Sequence, residues 1–336
     1  MLVIKETLGR GICKAEFPDI WPSVRGRIAD VISTFYEAPV PAGFYPHFNE
    51  VAFRMTLLRA VPELAALQAQ VRQLLDAELC ALVIDSLHFD AFEEPVRNQL
   101  LYALCQSVGF ATPSSQHQAT LLWDVKLRPT LEGREATYSE HNHEADLHTD
   151  SQSYPMPEEY LALYVRHAAR CGGGQSLFLG IDALRDSLAA TAQGREALHT
   201  LSTHAFPFAI SAGEGGGPHA QAITLATVLG DKPGIRFRRD VLEKGFEARR
   251  DLDTPQAREA IEVLLGAMTG TPDLVTYDIP DGGIALCSNH RLLHGRAAFS
   301  DASRHLIRVR MSGSTVAANV MQMLQENASF TKALLS

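Results

Sequence analysis

The chain has 336 residues, 46% hydrophobic and 21% charged, with 30 basic residues against 39 acidic and a formal charge of −9. That balance excludes a disordered, collagen-like or coiled-coil chain. The lack of a basic tract, and of any apolar run of about 18 residues, argues against nucleic acid and membrane as partners.

The N-terminal MLVIKETLGRGICK has no long apolar core behind basic residues, so it does not read as a secretory signal. The first ~110 residues are expected to be mainly helical by apolar periodicity. Leu64, Leu67, Val71, Leu74 and Leu75 share one helical face, and a short buried strand, Cys80–Asp85, follows. A second helix is predicted to start near Pro95 and to stop at Gly109. Beyond it the texture becomes β-rich, with strands predicted at Leu121–Leu127, Tyr160–Val165, Ser176–Leu179, Leu274–Tyr277, Gly283–Cys287 and His305–Met311. Two helices interrupt them: Ile181–Ala190, and one capped by Thr254-Pro255 that runs to about Met268. The glycine-rich Ser211–Pro218 reads as a surface loop, a lid or a plain connector.

No repeat or linker divides the chain. The expectation is one α+β domain over 1–336: a helical N-terminal layer (1–110) on a double-sheet jelly roll (120–315) with inserted helices. The five cysteines, Cys13, Cys80, Cys105, Cys171 and Cys287, are scattered without a CxxC pair, which fits reduced thiols in a cytoplasmic protein.

The densest polar stretch is HNHEADLHTD, His141–Asp150. On extended backbone, residues two apart share a face, so His148 and Asp150 present an imidazole and a carboxylate side by side. His294, in NHRLLHG after the strand Gly283–Cys287, is the best third ligand. Two imidazoles and one carboxylate on one face of a metal are the ligand set of non-haem Fe(II) oxygenases, and the absence of thiolate argues against structural zinc. An HxD pair alone often does no more than cap a turn. The last strand adds weight, because Arg304, Arg308 and Arg310 alternate with Ile307, Val309 and Met311. Such a row is either solvated outside the barrel or turned inward to capture a dicarboxylate.

LHTD at 147–150, GGGQS at 172–176 and HGRAAFSDASRHLIR at 294–308 together resemble the Fe(II)/2-oxoglutarate-dependent dioxygenases, in the branch of taurine dioxygenase and clavaminate synthase. The likeness runs from Trp123 to Met311. It implies a double-stranded β-helix, with His148, Asp150 and His294 holding Fe(II) as the catalytic metal. It also implies that Ser176 touches a 2-oxoglutarate carboxylate and that Arg304 pairs with the far carboxylate. Arg308 falls where relatives meet the acidic group of the prime substrate or help hold the co-substrate. The reaction implied consumes O2 and releases succinate and CO2. Halogenating relatives lack the carboxylate, so Asp150 favours hydroxylation, with desaturation or cyclisation as alternatives.

The substrate expected is a small polar molecule, an amino acid or derivative. Glu144, Trp123 and Arg308 are its candidate contacts, and Asp124 and Arg128 share the Trp123 strand. His141 and His143 are loop histidines near the site, and His290 is a lesser alternative to His294. Cys287 reads as buried filler. The rivals are a zinc hydrolase using the same three ligands and a non-catalytic jelly roll that binds a small acid. The sequence leaves the oligomeric state open.

Overall fold

The computed structural model describes residues 2–36, 51–113, 120–128, 137–209 and 223–314. The loop expected at 211–218 lies outside them. The N-terminal part runs β1 (Val3–Gly9), β2 (Ile12–Glu16), α1 (Trp21–Tyr36), α2 (Val51–Ala60), α3 (Pro62–Gln73), β3 (Ala81–Ile84), α4 (Glu94–Val108) and β4 (Phe110–Thr112). It is less purely helical than its periodicity predicts. The β1–β2 hairpin escapes notice because β1 is an exposed edge strand without an apolar face. The predicted helices stand: Leu64, Leu67, Val71 and Leu75 are buried, and α4 has Pro95 in its first turn and ends at Gly109.

The remainder runs β5 (Trp123–Lys126), β6 (Ala145–His148), β7 (Tyr160–His167), β8 (Ser176–Gly180), α5 (Ile181–Ala189), α6 (Ala192–Thr203), β9 (Phe206–Ala209) and β10 (Ile223–Ala226). Then follow α7 (Arg239–Ala248), α8 (Pro255–Gly270), β11 (Val275–Tyr277), β12 (Ile284–Ser288), β13 (Leu292–Arg296) and β14 (His305–Ser312). All six strands predicted in this half form. The Thr254 hydroxyl accepts a hydrogen bond from Ala257 N at 3.2 Å, the cap read from the sequence. Helices α6 and α7, and strands β6, β9, β10 and β13, are additions.

The large sheet has the order β1-β2-β3-β12-β7-β14-β4, with β5 also on β14; the smaller has the order β11-β8-β13-β6. Their apposed faces bury Phe178, Val275 and Leu292 from one sheet against Leu161, Val165, Ala285 and Leu306 from the other. The result is the double-stranded β-helix. The outer face of the large sheet, with Tyr160, Ala162, Ile307 and Val309, packs on α1–α4; helices α5–α8 cover the smaller sheet. Since Ile307, Val309 and Met311 point to the helices, strand alternation turns Arg308 and Arg310 inward between the sheets. Among the described residues no helix is long and apolar enough to cross a membrane.

Candidate active site

Strands β13 and β6 pair antiparallel with His294 directly opposite His148, so the two imidazoles share the inner face, ring centroids 4.3 Å apart. Strand pairing of β6 stops at His148. Thr149 N then donates to Phe237 O at 2.8 Å, and Ser151 takes a left-handed backbone, φ 57°. Asp150 between them is clamped by Asn289, whose Oδ1 accepts from Asp150 N (2.8 Å) and whose Nδ2 donates to Asp150 O (3.1 Å). Its Oδ1 lies 3.8 Å from His148 Nε2 and 3.9 Å from His294 Nε2.

All three side chains are buried, and their ligand atoms lie within 4.8 Å of one another. One ion with bonds of about 2.0–2.2 Å spans such a set. His148 Nδ1 lies 2.7 Å from the Asp146 carbonyl and must donate to it, which leaves Nε2 with a free lone pair. Burial lowers the proton affinity of both histidines, so both are neutral donors. Burial opposes ionisation of Asp150, but Arg308 at 3.1 Å leads the charges that outweigh it and hold the carboxyl well below its usual range. Two neutral imidazoles and a charged carboxylate therefore fit a divalent ion of intermediate hardness such as Fe(II).

These protonation states carry a pH dependence. Histidines that resist protonation when folded leave the unfolded chain holding more protons below their ordinary 6.5. Stability of the metal-free protein should therefore fall as pH drops below 6.5. Asp150 adds stability above its ordinary 3.8 that is lost only at much lower pH, through its depressed value. Urea midpoints of the metal-free protein should decline from about pH 7.5 to 5.5, and replacing both histidines by glutamine should flatten the decline. An unchanged slope in that variant would contradict neutral histidines.

Beside the triad opens a cavity lined by Ser176, Arg296, Arg304, Arg308, Leu163 and Tyr138. Arg304 is 4% exposed; its Nη2 donates to Gly174 O at 3.2 Å, and its Nη1 is buried without a partner. Burial, with help from neighbouring Arg296, pushes its pKa down to about 9. Among the described residues no carboxylate forms an ion pair with Arg304, whereas Arg308 pairs with Asp150 and Arg310 with Glu158. The glycines of GGGQS are explained by proximity. A Cβ at Gly173 would sit 2.3 Å from Ala298 O, and Gly174, at φ +82°, lies against the Arg304 side chain.

Of the candidate substrate contacts, Trp123 is buried opposite Arg308 across β5–β14, with Arg128 stacked over its ring at 4.8 Å; it is not part of the cavity wall, to which Val125 of the same strand contributes. Glu144 is exposed and outside the cavity. His143 is also exposed, and His141 meets Arg296 instead of the triad. His290 lies 3.0 Å from Pro157 O, Asp124 pairs with His305 on the outer face, and Cys287 is buried. Sequence reasoning missed Asn289 and Tyr138, whose ring stands edge-on to His148 at 5.0 Å; a lone Asn or Tyr in a polar loop carries no spacing signal. A wider surface groove between α6 and α8, with Arg195, His199 and Glu259, contains none of the motif residues.

A sequence profile described as "Taurine catabolism dioxygenase TauD, TfdA family" matches residues 50–310. No curated protein sequence matches the chain. Among solved structures, the chain resembles asparagine oxygenase in complex with Fe(II), 2S,3S-3-hydroxyasparagine and succinate: TM-score 0.67 at 16% identity, over 89% of this chain and 93% of that one. It also resembles the non-heme iron oxygenase OrfP in complex with Fe and alpha-ketoglutaric acid, with TM-score 0.61 at 16% identity, over 90% and 95%. For OrfP with Fe, succinate and (3S)-hydroxy-L-Arg the TM-score is 0.62 at 16% identity, over 90% and 95%. At these identities the likeness is one of fold.

Proposed function

Because the chain belongs to the taurine catabolism dioxygenase TauD, TfdA family, we propose that it works as one Fe(II)- and 2-oxoglutarate-dependent oxygenase domain that hydroxylates an unactivated C–H bond of a small amino-acid-like substrate. The ligands are His148, Asp150 and His294. The carrying observation is the convergence of these three groups beside a buried arginine, Arg304, with a guanidinium nitrogen that has no hydrogen-bond partner among the described residues. Solved structures of the same fold were obtained with hydroxylated asparagine and arginine, which supports the substrate class.

When bound, ferrous iron supplies oxygen activation coupled to decarboxylation of 2-oxoglutarate to succinate and CO2. The protein does the rest. His148, Asp150 and His294 would hold the ion from one side, through two imidazole nitrogens and a carboxylate. Arg304 and Ser176 fix the far end of the keto-diacid by charge-assisted hydrogen bonds. Arg308 keeps Asp150 ionised and, on the cavity wall, supplies positive charge for the substrate's acidic group. Neutral histidines need lose no proton before binding metal.

Free amino acids and their derivatives, incubated with enzyme, Fe(II) and 2-oxoglutarate, should include at least one that gains the mass of one oxygen with one succinate formed per turnover. If 2-oxoglutarate is never consumed, with any of them or alone, the co-substrate assignment fails. If it is consumed and no amino acid gains oxygen, the substrate class fails.

A further inference from the structure

We propose that Arg296 is a second co-substrate arginine, its Nε–H donating to the far carboxylate alongside Arg304 and Ser176; this rests on the reading of the cavity as a 2-oxoglutarate site. Arg296 stands two residues after His294 on β13, so both side chains face the cavity. Its partner across the β13–β8 ladder is Ser176. Directly opposite residues of antiparallel strands bring their Cβ atoms to about 4.5–5.5 Å, so the guanidinium stem and the hydroxyl share one end of the cavity. Two residues of strand span about 6.8 Å, on the order of the length of an extended five-carbon diacid. A keto-acid end at the His294 level thus leaves the other end at the Arg296–Ser176 level.

The charges agree. Arg296 is 6% exposed and among the described residues forms no ion pair with a carboxylate; its Nη1 donates to Tyr138 O (2.9 Å), and its Nη2 to His141 O (2.9 Å) and His143 O (2.5 Å). Among the described residues its Nε is buried with no hydrogen-bond partner, as is Nη1 of Arg304. Both guanidinium groups lie over one ring, Phe299, at 4.9 and 5.0 Å. Two buried cations against one aromatic platform, each with an unused N–H, concentrate positive charge that the far carboxylate of a keto-diacid offsets on binding. A buried cation without counter-charge is costly for the fold alone, so a ligand is the economical explanation. Because three backbone carbonyls hold both Nη atoms, the Nε–H is fixed in direction and needs no reordering to bind.

The test uses the full-length protein loaded with Fe(II) under anaerobic conditions and calorimetric titration with 2-oxoglutarate and with 2-oxopentanoate, which has the same chain length but no far carboxylate. The quantity read is the ratio of the two dissociation constants. Arg296→Gln should lower the wild-type preference for 2-oxoglutarate by at least about tenfold. Arg296→Lys retains the charge but has no rigid Nε–H, and should lower it by at least about threefold. If both keto acids weaken equally, Arg296 merely holds the Tyr138–His143 turn and the proposal is overturned. Where the glutamine variant does not fold, a wild-type ratio in the lysine variant overturns it instead. Arg304→Gln separates the premise from the inference. If its ratio is unchanged, the co-substrate reading fails; if only Arg304→Gln moves the ratio, the inference about Arg296 alone fails.

Discussion

Replacing His148 or His294 by alanine should abolish turnover while leaving the protein folded. Each imidazole is one of three donors, and a site with two donors loses both affinity and the geometry that keeps one face open. Losing the metal removes several kcal/mol of barrier lowering, so activity should fall by at least about a thousandfold at 1.36 kcal/mol per decade. Asp150→Ala should be equally inactive but less stable. It removes the carboxylate that lies 3.1 Å from the Arg308 guanidinium in a buried setting. Breaking a buried pair from one side costs about 3–5 kcal/mol. Urea denaturation of the metal-free variants should therefore separate Asp150→Ala from the two histidine variants, which delete groups already neutral. Turnover retained in His148→Ala and Asp150→Ala would refute the assignment, and equal stability of all three would refute the role given to Arg308.

Arg304→Gln should raise KM for 2-oxoglutarate by about two orders of magnitude and leave the metal site loaded. Truncating one member of a buried charge pair costs about 2–5 kcal/mol, which spans roughly thirtyfold to several thousandfold. Among the described residues the Arg304 guanidinium meets the Gly174 carbonyl and the Phe299 ring but no carboxylate, so its loss costs the fold little. The effect should therefore appear in co-substrate binding and hardly in the unfolding midpoint. Steady-state kinetics with varied 2-oxoglutarate, beside a thermal melt, read both. A KM within about threefold of wild type would place the far carboxylate elsewhere.

Much of this was legible in the residues, for identifiable reasons. Strands β7, β12 and β14 are buried on at least one face, and their apolar runs are visible in one dimension. The cap at Thr254 and the stop at Gly109 are local chemistry. The HxD pair and His294 were legible because motif order points to them. Strands β6 and β13 were not, because their inward positions carry His148, His294 and Arg296 where a periodicity argument looks for apolar side chains. The direction of the arginine row was also undecided, since alternation gives two faces without saying which is inside. The covering helices settle it, by burying Ile307 and Val309 on the other side. Asn289 and Tyr138 act through contacts between segments distant in the chain.

The two histidines belong to the smaller sheet, and Arg308 to the larger, with Arg304 at its threshold. Apposed sheets stand about 10 Å apart, a gap set by the side chains that fill it. Here the filling includes Phe178, Leu161 and Val165. On the proposed function, the oily interior works as a gauge block for the larger sheet's share of the site: it sets how far across the gap Arg304 stands from the two histidines. Trimming or enlarging a methylene there would recalibrate the choice of keto acid without touching any residue that meets it.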